Sequence, residues 1–256
     1  MANSGRALPL TIHSDWPYRQ LDRSYLTHSA LLRFCLWSAT SFGYNGLVKI
    51  QTAEFVTSVG VDTPLPTYTL PQVALVGRSN VGKSTLINAL ARRTIARAGG
   101  TPGTTRLLNV YRIELAKHRR QLLLIDLPGY GYARGGAASS HMFDRLTERY
   151  FHVGPAQSPD RPEWTRPAGT VLLVDARHPG LENDRAAAAW LREFEMPLVV
   201  VATKLDRLTR SVWKTTLHAH AEALGQPVLP ISSKNGDGLS TFWSALLEIT
   251  NTKSRP

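Results

Sequence analysis

The sequence of 256 residues contains a single cysteine, Cys35, and no long apolar run. One cysteine excludes a disulfide within the chain and a metal site built on several thiolates, which is typical of a reducing cytoplasm. The nearest candidate for a membrane helix, Leu31 to Ala39, contains Arg33 and is much shorter than the roughly 20 residues that are needed. We therefore expect a cytoplasmic protein without a membrane span.

Acidic residues are also scarce. Lys and Arg total 30 against 19 Asp and Glu, which gives a net charge of +11. Such an excess favours a polyanionic partner, either RNA or an anionic membrane surface. A generally basic proteome would produce the same excess, so charge alone leaves the partner open.

From Ala53 onward, short apolar segments alternate with amphipathic helical patterns. The predicted strands are Val73–Val76, Leu108–Ile113, Leu122–Ile125, Val171–Val174, Leu198–Ala202 and Val228–Ile231. The predicted helices are Lys83–Arg92, Met142–Tyr150, Asp184–Phe194, Ser211–Leu224 and Ser240–Ile249. This alternation indicates an α/β fold, a mostly parallel six-stranded sheet with helices on both faces. Residues 1–52 read as a basic N-terminal extension, part of which is expected to be disordered. The pattern leaves open whether it is a docking arm or the result of a translation start assigned too far upstream.

A glycine-rich segment follows the first predicted strand and opens the first helix: Gly77-Arg78-Ser79-Asn80-Val81-Gly82-Lys83-Ser84. Glycines let the backbone curl so that successive N–H groups, with the positive end of the helix, face an anion. Lys83 can then reach the β- and γ-phosphates of a nucleotide, and the Ser84 hydroxyl can bind Mg²⁺. A plain glycine turn is the alternative, but the strand–loop–helix setting favours a phosphate-binding P-loop.

Acidic residues follow two more strands at the edge of the sheet where ligands bind in such folds. Asp126-Leu127-Pro128-Gly129 can hold Mg²⁺ through water and offer the glycine N–H to the γ-phosphate. In Thr203-Lys204-Leu205-Asp206, the carboxylate can accept hydrogen bonds from guanine N1–H and N2–H₂. Adenine has neither donor and would leave the acid unpaired, so this pairing selects GTP.

Two weaker elements complete the predicted site. Ile231-Ser232-Ser233 ends the last strand, where backbone N–H groups could meet guanine O6. The loop from Gly99 to Arg106 combines glycines, a proline and hydroxyls, and is suited to closing a threonine onto Mg²⁺ when the γ-phosphate is present. An ordinary connecting loop is the alternative for that segment.

Together these segments resemble the EngB (YihA/YsxC) GTPases of the TrmE–Era–EngA–EngB–septin class. The motifs that carry the resemblance are Ala53-Glu-Phe55, Gly77–Ser84, Pro102-Gly-Thr-Thr105, Asp126-Leu-Pro-Gly-Tyr-Gly-Tyr132, Asp175-Ala-Arg-His178, Thr203–Asp206 and Ser232-Ser-Lys234. The resemblance implies a P-loop NTPase fold, a G domain over residues 53–252 followed by a tail at 253–256. It also implies a GTPase that acts in late assembly of the large ribosomal subunit and is linked to cell division and septation.

The resemblance further implies the residues that contact GTP or GDP. They are Gly77, Arg78, Ser79, Asn80, Val81, Gly82, Lys83, Ser84, Gly103, Thr104, Thr105, Arg106, Leu107, Asp126, Leu127, Pro128, Gly129, Thr203, Lys204, Leu205, Asp206, Ile231, Ser232 and Ser233. Ser84 and Thr105 would be the Mg²⁺ ligands, and Lys83, Thr105 and Asn80 would act in catalysis. The chain has Thr104 where the family usually has a basic residue and Arg106 where it often has Gln, which leaves Thr104 open as the metal ligand.

Tyr130 occupies the position at which signalling GTPases carry the Gln that orients the attacking water. A phenol is too large and differently placed for that task, so we predict slow hydrolysis that depends on a partner or a monovalent cation. Asn80 resembles the P-loop Asn that binds K⁺ in related GTPases, with a loop-shaping role as an equal alternative.

The implied partner is a precursor of the large ribosomal subunit, with its RNA and proteins, and we expect a monomer. Two alternatives stay open. One is a septation-linked protein-interaction switch that does not bind the ribosome. The other is a P-loop kinase of a small molecule, although no acceptor pocket or lid is recognisable in the sequence.

Overall fold

The computed structural model describes residues 48–66, 68–97, 107–130, 145–151 and 167–251. Several predicted features lie outside these ranges. They are the N-terminal extension up to residue 47, the loop from Gly99 to Arg106, the first three residues of the helix predicted at Met142, and the tail.

Seven strands form a single sheet in the described part of the chain, in the order β1-β3-β4-β2-β5-β6-β7. They are β1 Ile50–Val59, β2 Gln72–Gly77, β3 Leu108–Leu115, β4 Gln121–Asp126, β5 Gly169–Asp175, β6 Leu198–Thr203 and β7 Val228–Pro230. The five strands from β4 to β7 in this order are parallel neighbours, and β1 and β3 are antiparallel additions at one edge. The predicted mostly parallel sheet is confirmed, but it has seven strands and not six.

The additional strand is β1, which pairs with β3 along its whole length. The sequence of β1 does not clearly predict a strand, because an edge strand has only one neighbouring strand and much of its surface is exposed to solvent. Ala53 and Val59 are buried, whereas Phe55 and Val56 are among the exposed large hydrophobic residues. The strand begins at Ile50, so residues 50–52, which we assigned to the N-terminal extension, are part of the sheet.

Five helices cover the two faces of the sheet in the described residues. They are α1 Lys83–Ala91, α2 at residues 145–151, α3 Glu182–Arg192, α4 Arg210–Leu224 and α5 Leu239–Ile249. In β2, Val73 and Leu75 pack with α1 and α5 on one face, while Ala74 and Val76 pack with α2, α3 and α4 on the other. Helices on both faces, as predicted, explain why the central strands are continuously apolar.

The position of β2 determines where a ligand can bind. Its parallel neighbours are β4 on one side and β5 on the other. From β2 the chain continues to β3 on the β4 side of the sheet, whereas from β4 it continues to β5 on the opposite side of β2. Ligands of open α/β sheets bind in the crevice that this divergence creates. Among the described residues, no helix is both long and apolar enough to cross a membrane.

Candidate functional site

The glycine-rich segment forms a tight loop between Gly77, the last residue of β2, and Lys83, the first of α1. A Cβ on Gly77 would lie 2.8 Å from Val81 Cγ1 and 2.9 Å from the carbonyl oxygen of Leu173, so only glycine fits there. Gly82 has a φ of +113° and caps α1, whose first N–H groups have no partner within the helix. The loop is therefore built to present backbone N–H groups to an anion.

Asn80 also adopts the left-handed region, with a φ of +62°. Asparagine tolerates this region better than other residues with a Cβ. This backbone conformation accounts for the asparagine without a bound cation and fits the loop-shaping alternative. K⁺ binding by its side chain stays a prediction.

Lys83 and Asp126 form the buried charged centre of the site. Lys83 Nζ donates to the carbonyl oxygen of Gly77 at 3.3 Å, and burial lowers the pKa of this amine, an effect that Asp126 opposes. Asp126 ends β4, is 1% exposed, and neither of its carboxylate oxygens has a hydrogen-bond partner among the described residues. Burial raises the pKa of Asp126 to about 6, although Lys83 lowers it. Buried acceptors of this kind fit a water-coordinated Mg²⁺ beside Ser84.

Replacing Asp126 by asparagine is expected to stabilise the chain, free of nucleotide and Mg²⁺, by about 1–3 kcal/mol at pH 8. The Asp126 carboxyl has a pKa of about 6 in the folded chain against 3.8 in the unfolded chain. The folded state therefore holds the proton more tightly, and its stability falls as pH rises from 3.8 through 6, where Asp126 becomes ionised in its buried position. The advantage of Asp126→Asn should therefore shrink by pH 5. Urea unfolding at both pH values measures it, with the exposed Asp62→Asn as control. An advantage that is equal at pH 5 and pH 8 would contradict the burial of an ionised group.

The segment from Asp126 to Gly129 lies directly against the P-loop. The N–H of Ser79 donates to the carbonyl oxygen of Tyr130 at 3.2 Å, and a Cβ on Gly129 would come within 2.6 Å of Ser79 N. Leu127 and Pro128 are buried. Their side chains anchor the segment in the protein, so a contact to nucleotide from them would have to come through the backbone.

The end of β6 is bonded to the same loop. Thr203 Oγ1 lies 2.6 Å from the carbonyl oxygen of Val81 and 3.0 Å from that of Val174. Lys204 has a φ of +60°, and its Nζ donates to the carbonyl oxygen of Asn80 at 2.6 Å. The stem of Lys204 therefore reaches from the end of β6 to the P-loop.

Asp206 lies in the short turn Leu205–Arg207 and contacts the predicted segment Ile231-Ser232-Ser233. Ser232 Oγ donates to Asp206 Oδ1 at 2.8 Å, and the Asp206 side chain remains 12% exposed. The N–H of Leu205 donates to the carbonyl oxygen of Ile231, whose own N–H donates to Ala202. The two guanine-binding segments predicted separately are thus adjacent.

Asp175, which entered the sequence analysis only within a family motif, belongs to the same cluster. It ends β5 and accepts hydrogen bonds from Arg177 Nε at 2.9 Å, Arg177 Nη2 at 2.7 Å and Lys204 Nζ at 2.9 Å. Burial alone would raise the pKa of Asp175, but these bonds outweigh it and hold the pKa well below its usual value. The sequence could have indicated a role for Asp175 in the site, because it follows a predicted strand directly, as Asp126 does.

The remaining predicted residues divide into two groups. Gly103, Thr104, Thr105 and Arg106 lie outside the described residues, so their contacts stay predictions. Within the described part, Leu107 is 42% exposed just before β3, and Arg78 forms an ion pair with Asp184, an acid of α3 that the sequence did not single out. An acidic residue in the first turn of a helix is ordinary, so no sequence signal distinguished Asp184.

Known proteins with similar sequences are GTP-binding proteins. A family described as 50S ribosome-binding GTPase matches residues 72–204. A protein of Alkaliphilus metalliredigens named probable GTP-binding protein EngB is 37% identical over 79% of this chain and 92% of its own length. Proteins of the same name from Lactiplantibacillus plantarum and Desulfitobacterium hafniense are 37% and 38% identical, over 77% and 79% of this chain and 94% and 96% of theirs.

Solved structures of GTP-binding proteins have the same fold as this chain. Era of Aquifex aeolicus bound to GDP and AlF₄⁻ superposes with a TM-score of 0.58 at 20% identity, over 74% of this chain and 60% of that one. A probable GTP-binding protein EngB superposes with a TM-score of 0.51 at 24% identity, over 71% of this chain and 99% of the other. The predicted P-loop G-domain fold is therefore confirmed.

Proposed function

Because the chain belongs to the EngB family of GTP-binding proteins, we propose that it is a GTP-hydrolysing switch for assembly of the large ribosomal subunit. In this proposal it acts as a cytoplasmic monomer that is also needed for normal cell division and septation. The observation that carries the proposal is that hydrogen bonds join three segments: the P-loop, the Asp126–Tyr130 segment and the Thr203–Asp206 segment. One guanosine triphosphate can contact all three.

In the proposed complex, Lys83 and the backbone N–H groups from Gly77 to Ser84 hold the phosphates. Ser84, Thr105 and, through water, Asp126 hold Mg²⁺, which would neutralise charge on the β- and γ-phosphates. The carboxylate of Asp206 binds the N1–H and N2–H₂ edge of guanine while the Lys204 stem covers the ring. Ser232 orients Asp206 through its hydroxyl, which leaves the other carboxylate oxygen toward Arg207.

We expect GTP hydrolysis without a partner to be slow. Water attack needs a group that orients it, and the residue after Gly129 is Tyr130, whose hydroxyl donates to Asp184 at 2.9 Å. A hydroxyl engaged in this way does not serve the attacking water. The missing group would come from a bound partner or, as the sequence suggests for Asn80, from K⁺.

A small-molecule kinase is the less favoured function, because a carboxylate held by Ser232 at a strand end serves base selection and not phosphate transfer to an acceptor. A septation switch without ribosome binding uses the same site. The ribosomal partner is favoured by the net charge of +11, suited to RNA phosphates, and by the family description as 50S ribosome-binding GTPase.

Sedimentation of a lysate that contains the tagged chain tests the ribosomal partner. With a non-hydrolysable GTP analogue, we expect the chain to migrate with large-subunit precursors, and with GDP we expect it to remain near the top of the gradient. The Asp206→Asn variant supplies the matched control, since a xanthosine triphosphate analogue should restore its co-migration when the GTP analogue does not. Absence of the wild-type chain from all ribosomal fractions would contradict the assembly role.

A further inference from the structure

Tyr130, Asp184 and Arg78 form a side-chain cluster that connects the P-loop to helix α3. The Tyr130 hydroxyl donates to Asp184 Oδ1 at 2.9 Å, and Arg78 Nε lies 3.2 Å from the same oxygen. Asp184 is only 1% exposed. A carboxylate shared by a phenol and a guanidinium in a buried position is costly to separate from either partner.

The backbone of the same residues is joined as well. Arg78 and Tyr130 form an isolated parallel bridge outside the named strands, and the N–H of Ser79 donates to the carbonyl oxygen of Tyr130 at 3.2 Å. Gly129 therefore lies between two fixed points. On one side is the body of β4, and on the other is Tyr130, which is held by its carbonyl and by its hydroxyl.

We propose that Tyr130, anchored by Asp184, is a positioning residue that holds the Gly129 N–H where the γ-phosphate of GTP will bind. The proposal rests on the proposed function, in which Gly129 contacts the γ-phosphate. GDP has no γ-phosphate, so the anchor contributes to binding of the triphosphate alone. The cluster thereby lets the chain distinguish GTP from GDP through a residue that does not touch the nucleotide with its side chain.

The physical reason is preorganisation. A glycine segment that is free to move must lose conformational freedom when its N–H meets a phosphate, and this loss weakens binding. An anchor that holds the segment beforehand removes that loss. The phenol is a suitable anchor because burial, together with Asp184, raises its pKa and keeps it protonated as a donor.

Isothermal titration of the full chain with Mg²⁺ and either GDP or a non-hydrolysable GTP analogue tests the anchor. Tyr130→Phe removes only the hydroxyl, and Asp184→Leu removes the acceptor while it keeps the approximate shape of the side chain. Each is expected to weaken binding of the GTP analogue about tenfold and to change GDP binding less than twofold. Tyr130→Phe and Asp184→Leu remove the two partners of one hydrogen bond, so the double variant should bind no more weakly than Asp184→Leu, which also removes the ion-pair partner of Arg78.

Tyr150→Phe is the matched control, because Tyr150 is fully buried and its hydroxyl contacts Gln72 at 3.4 Å, in a different part of the chain. It should leave both affinities unchanged. Equal losses for GDP and the GTP analogue in Tyr130→Phe would overturn the proposal, as would unchanged affinities or tighter binding of the analogue. If Asp184→Leu does not fold, as thermal unfolding would show, Tyr130→Phe alone decides. A wild-type chain that binds neither nucleotide would contradict the proposed function and not the anchor.

Discussion

Replacing Lys83 by alanine is expected to weaken binding of both GTP and GDP by about 10²–10³-fold. The amine lies under the P-loop, where its Nζ donates to the Gly77 carbonyl, and burial lowers its pKa. The carbonyl of Gly77 is neutral, and a β-phosphate would give the Lys83 amine an anionic partner. Alanine leaves the phosphates without that charge, and because the β-phosphate is common to both nucleotides, both affinities fall together.

Titration of purified protein with GDP and with a non-hydrolysable GTP analogue measures the effect. Lys49→Ala is the control, because Lys49 is exposed and its backbone carbonyl bonds to Ala116 far from the P-loop segment in sequence. Thermal unfolding of Lys83→Ala distinguishes lost binding from lost folding, and we expect the fold to persist because Asp126, whose pKa is already raised by burial, can take up a proton once the cation is gone. Wild-type affinity in Lys83→Ala would show that this loop does not hold phosphates.

Replacing Asp206 by asparagine should change the preferred base from guanine to xanthine. The amide keeps one acceptor oxygen, but its NH₂ group faces a guanine donor, so one of the two hydrogen bonds is lost and a repulsive contact replaces it, which is expected to weaken GDP binding by about 10²–10⁴-fold. Xanthine carries a carbonyl at C2 in place of the amine, and the new amide N–H can donate to it. The amide oxygen can still accept the hydrogen bond that Ser232 Oγ makes to the carboxylate, so the turn should keep its shape.

Competition between GDP and xanthosine diphosphate for the variant measures this exchange. Asp62→Asn serves as the control, since Asp62 is highly exposed and lies 3.9 Å from Arg145 outside the site. Its preference for guanine should match that of the wild type. Unchanged guanine preference in Asp206→Asn would place base recognition elsewhere in the chain.

The sequence predicted the features that depend on local pattern and on one topological rule. Apolar segments between amphipathic patterns located six strands, and acids at strand ends located Asp126 and Asp206, because carboxyl ends of parallel strands share one edge. It missed β1, whose half-exposed residues show no clear alternation. It also missed the role of Asp184, since the bond between a helix acid and Tyr130 depends on how α3 packs, which no local pattern encodes.

The order of strands in the sheet has a consequence for synthesis of the protein. The strand that carries the P-loop, β2, has as neighbours β4 and β5, both of which leave the ribosome later. The loop is further tied to Thr203 and Lys204, at the end of β6. A nascent chain that stops before β6 therefore has the nucleotide motif in its sequence without the partners that shape it. We therefore expect the chain to bind nucleotide only late in its synthesis, after β6 has been made and most of the sheet can form.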